Sequence, residues 1–376
     1  MPLQISYKKQ FTLMIMLLLV ILVTVEVLVN IWLYYFYTCA FEKNEIFQDV
    51  NPEINRKVCI ESLAYGFTQE KISWEKGTRI LEKFGGFDEN LVYINSHGFR
   101  GPEFTKIKSE DTIRIFVLGG STTFGIGVLD NQTYPYYLQT MFDKSKLNFK
   151  VEVINSGWPD MWSLTETEVI KDKWILFEPD LFLVYDGWNE MNQQYSKNDP
   201  LASPILFKER WKEICEMGKL HDYSTIITLQ PFVHTGKKIL TDQEYENYIL
   251  IEKYQPYNLN YPEYVEQLDE LKNYCNATAD LRGIFDDITE PIYFDMAHTG
   301  KLGNQIIAEK FYQLALPLVV KSMESPDFNL DYDIVRETNT RLISNDYDVF
   351  LEEFYLTLRD LLSNYKTPRV FPLIFE

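Results

Sequence analysis

The chain has 376 residues, 46% of them hydrophobic and 15% aromatic, and a formal net charge of −19. Such length and apolar content provide for one large or two small domains with a buried core, and exclude a disordered chain. The acidic balance argues against nucleic-acid binding, because phosphate contacts need a basic face.

The first element is an apolar run at 11–37, FTLMIMLLLVILVTVEVLVNIWLYYFY, whose only charge is Glu26. It exceeds the roughly 20 residues needed to cross a bilayer, and no small-residue cleavage site follows it. Trp32, Tyr34, Tyr35 and Tyr37 have the placement of an interfacial aromatic belt. A buried core helix is the alternative reading. Lys8 and Lys9 precede the run, while Glu42 and Glu45 follow it. The positive-inside rule then predicts a cytoplasmic tail (1–10), a transmembrane helix (11–37) and an extracytoplasmic body held at the cell membrane by a single pass. Lys8, Lys9 and Glu26 leave the first 40 residues at +1, so the remainder carries −20. That suits a solvent-facing body tethered to a membrane.

The next stretch, 38–92, is weakly patterned and is read as a membrane-proximal segment. It contains Cys59, with Cys39 at the membrane edge; Cys215 and Cys275 lie further on. Outside the cytoplasm a disulfide is permitted, but spacing alone does not say which cysteines pair. No Cys-x-x-Cys pair occurs, so a cysteine-built zinc site is not expected. Asn131 and Asn276 open the two glycosylation sequons. YINSHGFRGPEF (93–104) has the glycines and proline of an ordered loop.

From Thr112 a βα rhythm sets in. Strands are predicted at 113–120, 149–157, 179–189, 223–232 and, more weakly, 281–288. Helices are predicted at 134–142, at 163–177 with a capping box of Ser163 and Glu166, and at 300–323 with Pro317 as a kink or stop. Alternation of this kind predicts an α/β fold, a parallel sheet covered on both faces, with ligands beyond the C-terminal strand ends. The aromatic-rich stretches 191–220 and 234–262, with Trp211, Phe232, Tyr245, Tyr248, Tyr254, Tyr257 and Tyr261 in or beside them, are expected to shape a pocket; such aromatics suit sugar stacking and acyl contact equally, and plain packing is their commonest explanation. The tail at 324–376 has an apolar stripe at 346–362 that predicts a helical extension.

Four pieces of chemistry follow the strands. Ser121 stands after the first strand, in GGST, where it would open a helix. Taken alone it reads as a capping serine after a tight turn. It does not lie in a Gly-x-Ser-x-Gly elbow, because Thr123 occupies the second glycine position. Gly157, in NSGW, follows the second strand and alone reads as a turn glycine. Asn189, in GWNE, follows the third and alone reads as a turn or cap residue. Asp295 and His298 precede the last helix at a spacing of three, which lets a carboxylate orient an imidazole. In isolation this pair fits an ordinary surface loop.

Together, the order Ser121, Gly157, Asn189, Asp295-x-x-His298 resembles the SGNH hydrolases, also called the GDSL esterase/lipase superfamily. The resemblance covers about residues 93–323, including INSHGFRG. The first block departs from the usual form as Gly-Gly-Ser-Thr, and the third has Glu190 where aspartate is usual. The resemblance implies a three-layer α/β/α sandwich on a mainly parallel, flavodoxin-like sheet, and a serine esterase. Ser121, His298 and Asp295 would form its triad; the Ser121 N–H, the Gly157 N–H and the Asn189 amide would form its oxyanion hole. That chemistry needs no metal or cofactor. The expected partners are an ester (a lipid, an acylated glycan or a small ester) and the membrane, with oligomeric state open. O-acyl transfer to a glycan and a non-catalytic envelope scaffold on the same fold are the competing functions.

Overall fold

A computed structural model describes residues 6–36, 49–53, 92–249 and 254–324. The apolar run forms one helix, α1 (Tyr7–Phe36), and its span Tyr7–Leu33 has a mean hydropathy of 2.9. None of that span is buried against the rest of the chain. By length and composition it is able to cross a bilayer.

The body is built on five parallel strands in the order β2-β1-β3-β4-β5: β1 (Thr112–Gly119), β2 (Lys150–Asn155), β3 (Leu181–Asp186), β4 (Ser224–Leu229) and β5 (Ala277–Asp280). This is the flavodoxin-like order, whose switch point lies between β1 and β3. All eight residues of β1 are buried, as expected for a strand covered on both faces. Alternate residues face opposite ways. Phe116, Leu118, Phe182 and Val184 join one apolar cluster; Ile113, Ile115, Val117, Leu181, Leu183 and Tyr185 join the other.

Helices complete the sandwich. On the first face, α4 (Ser163–Asp172), α6 (Pro204–His221) and α8 (Gln255–Leu271) contribute Ile170, Phe207, Trp211, Tyr261 and Leu268. On the second, α3 (Tyr134–Lys144) and α9 (Lys301–Glu324) contribute Tyr134, Leu138, Phe311 and Val319. Two one-turn helices, α2 (Ser121–Phe124) and α5 (Trp188–Met191), follow β1 and β3, and α7 (Asp242–Ile249) precedes α8.

Several sequence expectations are corrected. The fifth strand is 277–280, not 281–288; the latter is a run of turns. Its apolar residues Leu281, Ile284, Phe285 and Ile288 recur at a spacing of three or four and pack on the second face, which a strand's alternation does not produce. Ser163 is the first residue of α4 rather than its cap; the helix is preceded by Trp162, and Glu166 is fully buried. Pro317 does not stop α9, which continues to Glu324. The stretch 191–220 is mainly α6, whose Trp211 is fully buried in the core; Phe232, Tyr257 and Tyr261 are core residues as well. The expected C-terminal helix lies outside the described residues.

A short piece of the chain after α1, 49–53, is seated on the body. Val50 and Asn51 are buried. Asn51 Nδ2 donates to the Gly127 carbonyl (2.9 Å), and Lys301 N donates to Asn51 Oδ1 (3.3 Å). Lys301 Nζ pairs with Glu53 (2.6 Å), and Gln243 Nε2 donates to Asp49 (2.6 Å).

Cys215 in α6 is joined to Cys275, just before β5, by a disulfide spanning 60 residues of sequence. It ties the edge strand to a helix of the first face. A loop of that length is stabilised by about 2–4 kcal/mol when closed. Replacing both cysteines with serine should therefore lower unfolding free energy by about that amount in denaturant titration. No measurable change would show the link to be idle.

Candidate active site

β1 ends at Gly119, and Ser121 stands two residues later as the first residue of α2. Its N–H therefore has no acceptor within the helix. The site then assembles around its hydroxyl, which is only partly buried. Ser121 Oγ lies 2.7 Å from His298 Nε2. On the other side of the ring, His298 Nδ1 lies 2.7 Å from Asp295 Oδ2. Both nitrogens are thus engaged: Nδ1–H donates to the carboxylate, and Nε2 accepts from the hydroxyl.

The loop before α9 gives Asp295 its place. Asp295 Oδ1 accepts the backbone N–H groups of Ala297 (2.9 Å) and His298 (2.7 Å), so one carboxylate holds both the backbone and the ring of His298. Burial by itself opposes ionisation of Asp295. The His298 ring and these two N–H donors outweigh it and hold the carboxyl below the ordinary aspartate range. The ring of Phe294 lies almost parallel to the His298 ring, with centroids 5.7 Å apart.

Asn189, in α5 after β3, is 8% exposed. Its Nδ2 is the atom nearest to where a side chain on Gly120 would begin, which explains a glycine immediately before the serine. One Nδ2 hydrogen is donated to the Met161 carbonyl at 2.6 Å, leaving the second to point elsewhere. Gly157 donates its N–H to Asn155 Oδ1 at 3.1 Å. A side chain here would collide with the backbone of Thr123 and Phe124. Gly157 therefore supports α2 by close packing, and its N–H has a partner within the protein. Beside Asn189, the partly exposed Trp188 and Tyr254 join Phe232 and Tyr257 in an aromatic group with ring centroids 5.0–5.3 Å apart.

The roles of three charged side chains behind these loops are not evident from the sequence. Arg100, from the HGFRG loop, is 4% exposed. It donates to the carbonyls of Phe124 (2.9 Å), Gly125 (2.7 Å) and Val128 (2.9 Å) and pairs with Asp130 (2.7 Å), fixing the chain that leaves α2. Glu190 accepts from the backbone of Ser163 (2.6 Å) and Gly187 (3.2 Å). Glu244 of α7 accepts from Ile292 (2.9 Å) and Tyr293 (3.0 Å) at the start of the Asp295–His298 loop, with Lys238 at 3.3 Å. In the sequence, Arg100 is signalled by its place between glycines and Glu190 by its departure from the usual aspartate, whereas Glu244 lies in the polar stretch TDQEYENY and carries no such signal.

Asp186, the last residue of β3, is buried close to Glu166 and Glu190. Burial first, and then the charges of Glu166 and Glu190, push its carboxyl well above the aspartate range. Burial likewise raises Glu190.

No protein-family profile matches the chain, and no curated protein sequence matches it. Among solved structures, it is similar to the acetylxylan esterase Axe2 from Geobacillus stearothermophilus (14% identity, 54% of this chain and 93% of that one, TM-score 0.42). It is also similar to LAE5, an alpha/beta hydrolase enzyme from the metagenome of Lake Arreo, Spain (15% identity, 55% and 96%, TM-score 0.44). A third is the acetyl xylan esterase AlAXEase (17% identity, 54% and 99%, TM-score 0.42). At this level of likeness, what those proteins hydrolyse says nothing of what this chain takes.

The raised Asp186 carboxyl has a consequence for stability. Its contribution to folding is fully present below the ordinary aspartate pKa of about 4 and is lost as pH rises toward the higher folded value. Asparagine is neutral at every pH. Asp186→Asn should therefore raise the melting temperature relative to wild type more at pH 8 than at pH 4. An increment that does not grow with pH would contradict a protonated Asp186.

Proposed function

We propose that the chain is a serine esterase of the SGNH hydrolase type, acting on carboxylic esters through Ser121, His298 and Asp295. The single observation that supports this reading best is the unbroken chain of two 2.7 Å contacts, Ser121 Oγ to His298 Nε2 and His298 Nδ1 to Asp295 Oδ2. A scaffold on this fold has no use for a nucleophile, a base and an acid held in line at hydrogen-bond distance.

The steps follow from the geometry. His298 Nε2 takes the Ser121 hydroxyl proton as Oγ attacks the ester carbonyl. Asp295, kept ionised by its N–H donors and the ring it faces, stabilises the imidazolium that forms. Negative charge gathers on the carbonyl oxygen, where the Ser121 N–H at the mouth of α2 and the second Asn189 Nδ2 hydrogen receive it. Gly157 joins them only by giving up its bond to Asn155 Oδ1. Collapse expels the alcohol, which takes the proton from His298. A water molecule, deprotonated by the same nitrogen, then releases the acid from Ser121.

The apolar α1 and the paired lysines before its core support a single-pass anchor with the body on the outer side. The Cys215–Cys275 bond favours the same side, since disulfides persist in oxidising compartments.

Two measurements check this reading. A fluorophosphonate probe should label wild-type protein and leave Ser121→Ala unlabelled, while Asn189→Ala should lose about 10²–10³ in kcat on a simple acetyl ester. Labelling that survives Ser121→Ala would overturn the assignment of the nucleophile. Protease added to intact cells should digest the body; digestion only after lysis would reverse the orientation.

A further inference from the structure

Glu190 is 1% exposed, a carboxylate with no contact to solvent, and it is not among the groups that carry out the proposed reaction. Its two oxygens accept from two separate loops. One takes the N–H of Ser163, the first residue of α4, at 2.6 Å. The other takes the N–H of Gly187, which immediately precedes α5, at 3.2 Å. Neither donor has an acceptor within its own helix, so one carboxylate satisfies two helix starts.

The second link between these loops is the bond from Asn189 Nδ2 to the Met161 carbonyl at 2.6 Å. Met161 lies two residues before Ser163, and Asn189 is the neighbour of Glu190. The two bonds therefore close a small ring: Asn189 to Met161, along the chain to Ser163, across to Glu190, and back to Asn189. A primary amide has two hydrogens in one plane. With one fixed on Met161, the direction of the other depends on where that carbonyl is held, and Glu190 holds it. The same Nδ2 lies against Gly120, the residue before the nucleophile.

We propose that Glu190 is a positioning residue: it sets the Asn189 amide toward the developing oxyanion and raises turnover without touching substrate. This rests on the reading of Asn189 as an oxyanion donor. Glutamine at 190 keeps the shape but offers one acceptor oxygen in place of two, so one of the two N–H groups meets another donor. It also removes a charge that Asp186 experiences as repulsion, which lessens the cost to the fold. Loss of activity is then separable from loss of stability.

The experiment is a double-mutant cycle on Glu190→Gln and Asn189→Ala, with p-nitrophenyl acetate as substrate and thermal melts for each protein. Glu190→Gln alone should lower kcat about tenfold or more and leave KM within about twofold, because an interaction realised only in the transition state is affected. In the Asn189→Ala background the same change should cost less than about twofold, since nothing remains to be positioned. An equal fold-loss in both backgrounds, an unchanged kcat in a folded Glu190→Gln protein, or a loss matched by collapse of the melt would each overturn the proposal. Ser121→Ala distinguishes the two levels. If it is inactive while the cycle is additive, only the role of Glu190 fails; if it retains activity, the esterase reading fails and takes this inference with it.

Discussion

A parallel sheet brings its strand ends to one rim, and there the chain must leave the ladder while still in a dry interior. Each departing loop carries backbone N–H and C=O groups that have lost their strand partners and must be satisfied. In this protein, buried charged side chains satisfy them. Arg100 serves the carbonyls after Ser121, Glu190 the N–H groups around Asn189, and Glu244 those ahead of Asp295 and His298. The geometry of the rim depends on this. A charged group accepts or donates several bonds at once and binds more strongly than a neutral one, so each loop has one well-defined path.

The cost of that arrangement is visible beneath Asn189. Glu190 and Glu166 lie close to Asp186 and, after burial, push its carboxyl toward the protonated form, while Arg210 stands near enough to Glu190 to feel its charge. The His298 side is organised in the opposite sense. There, hydrogen-bond donors surround Asp295 and favour its charged form. Two carboxyls at neighbouring corners of one rim are thus driven in opposite directions by their surroundings, one toward the acid and one toward the carboxylate.

The sequence was most readable where local pattern and chemistry coincide. The four well-covered strands and the helices beside them are legible as apolar runs; Ser121 and Asn189 stand out because each follows such a run, and Asp295 and His298 because their spacing of three falls just before the last helix. It was least readable where a partner comes from far along the chain. Ser163 looked like a cap for its own helix, but its N–H bonds to Glu190, 27 positions away. Glu190 stood out only as a departure from the usual aspartate, and Arg100 only as part of an ordered loop. The fifth strand was misplaced because Ala277–Asp280 is short, polar and half-exposed, while the apolar signal lay in the turns after it. Gly157 was found by its spacing, yet its absent side chain is explained by packing on α2 as fully as by any donor role.

The seat of 49–53 beside Gly127, Gly300 and Lys301 makes the stretch between α1 and the body serve two separable purposes, joining the two and covering part of the body's surface. A cut between Phe36 and Asp49 would release the body from α1 with Val50 and Asn51 still in place against the rim. A cut shortly after Glu53 would leave those residues on the other fragment and open the surface next to the loop that carries His298. Detaching α1 and removing 49–53 from the body are therefore different outcomes, decided by the side of 49–53 on which the chain is divided.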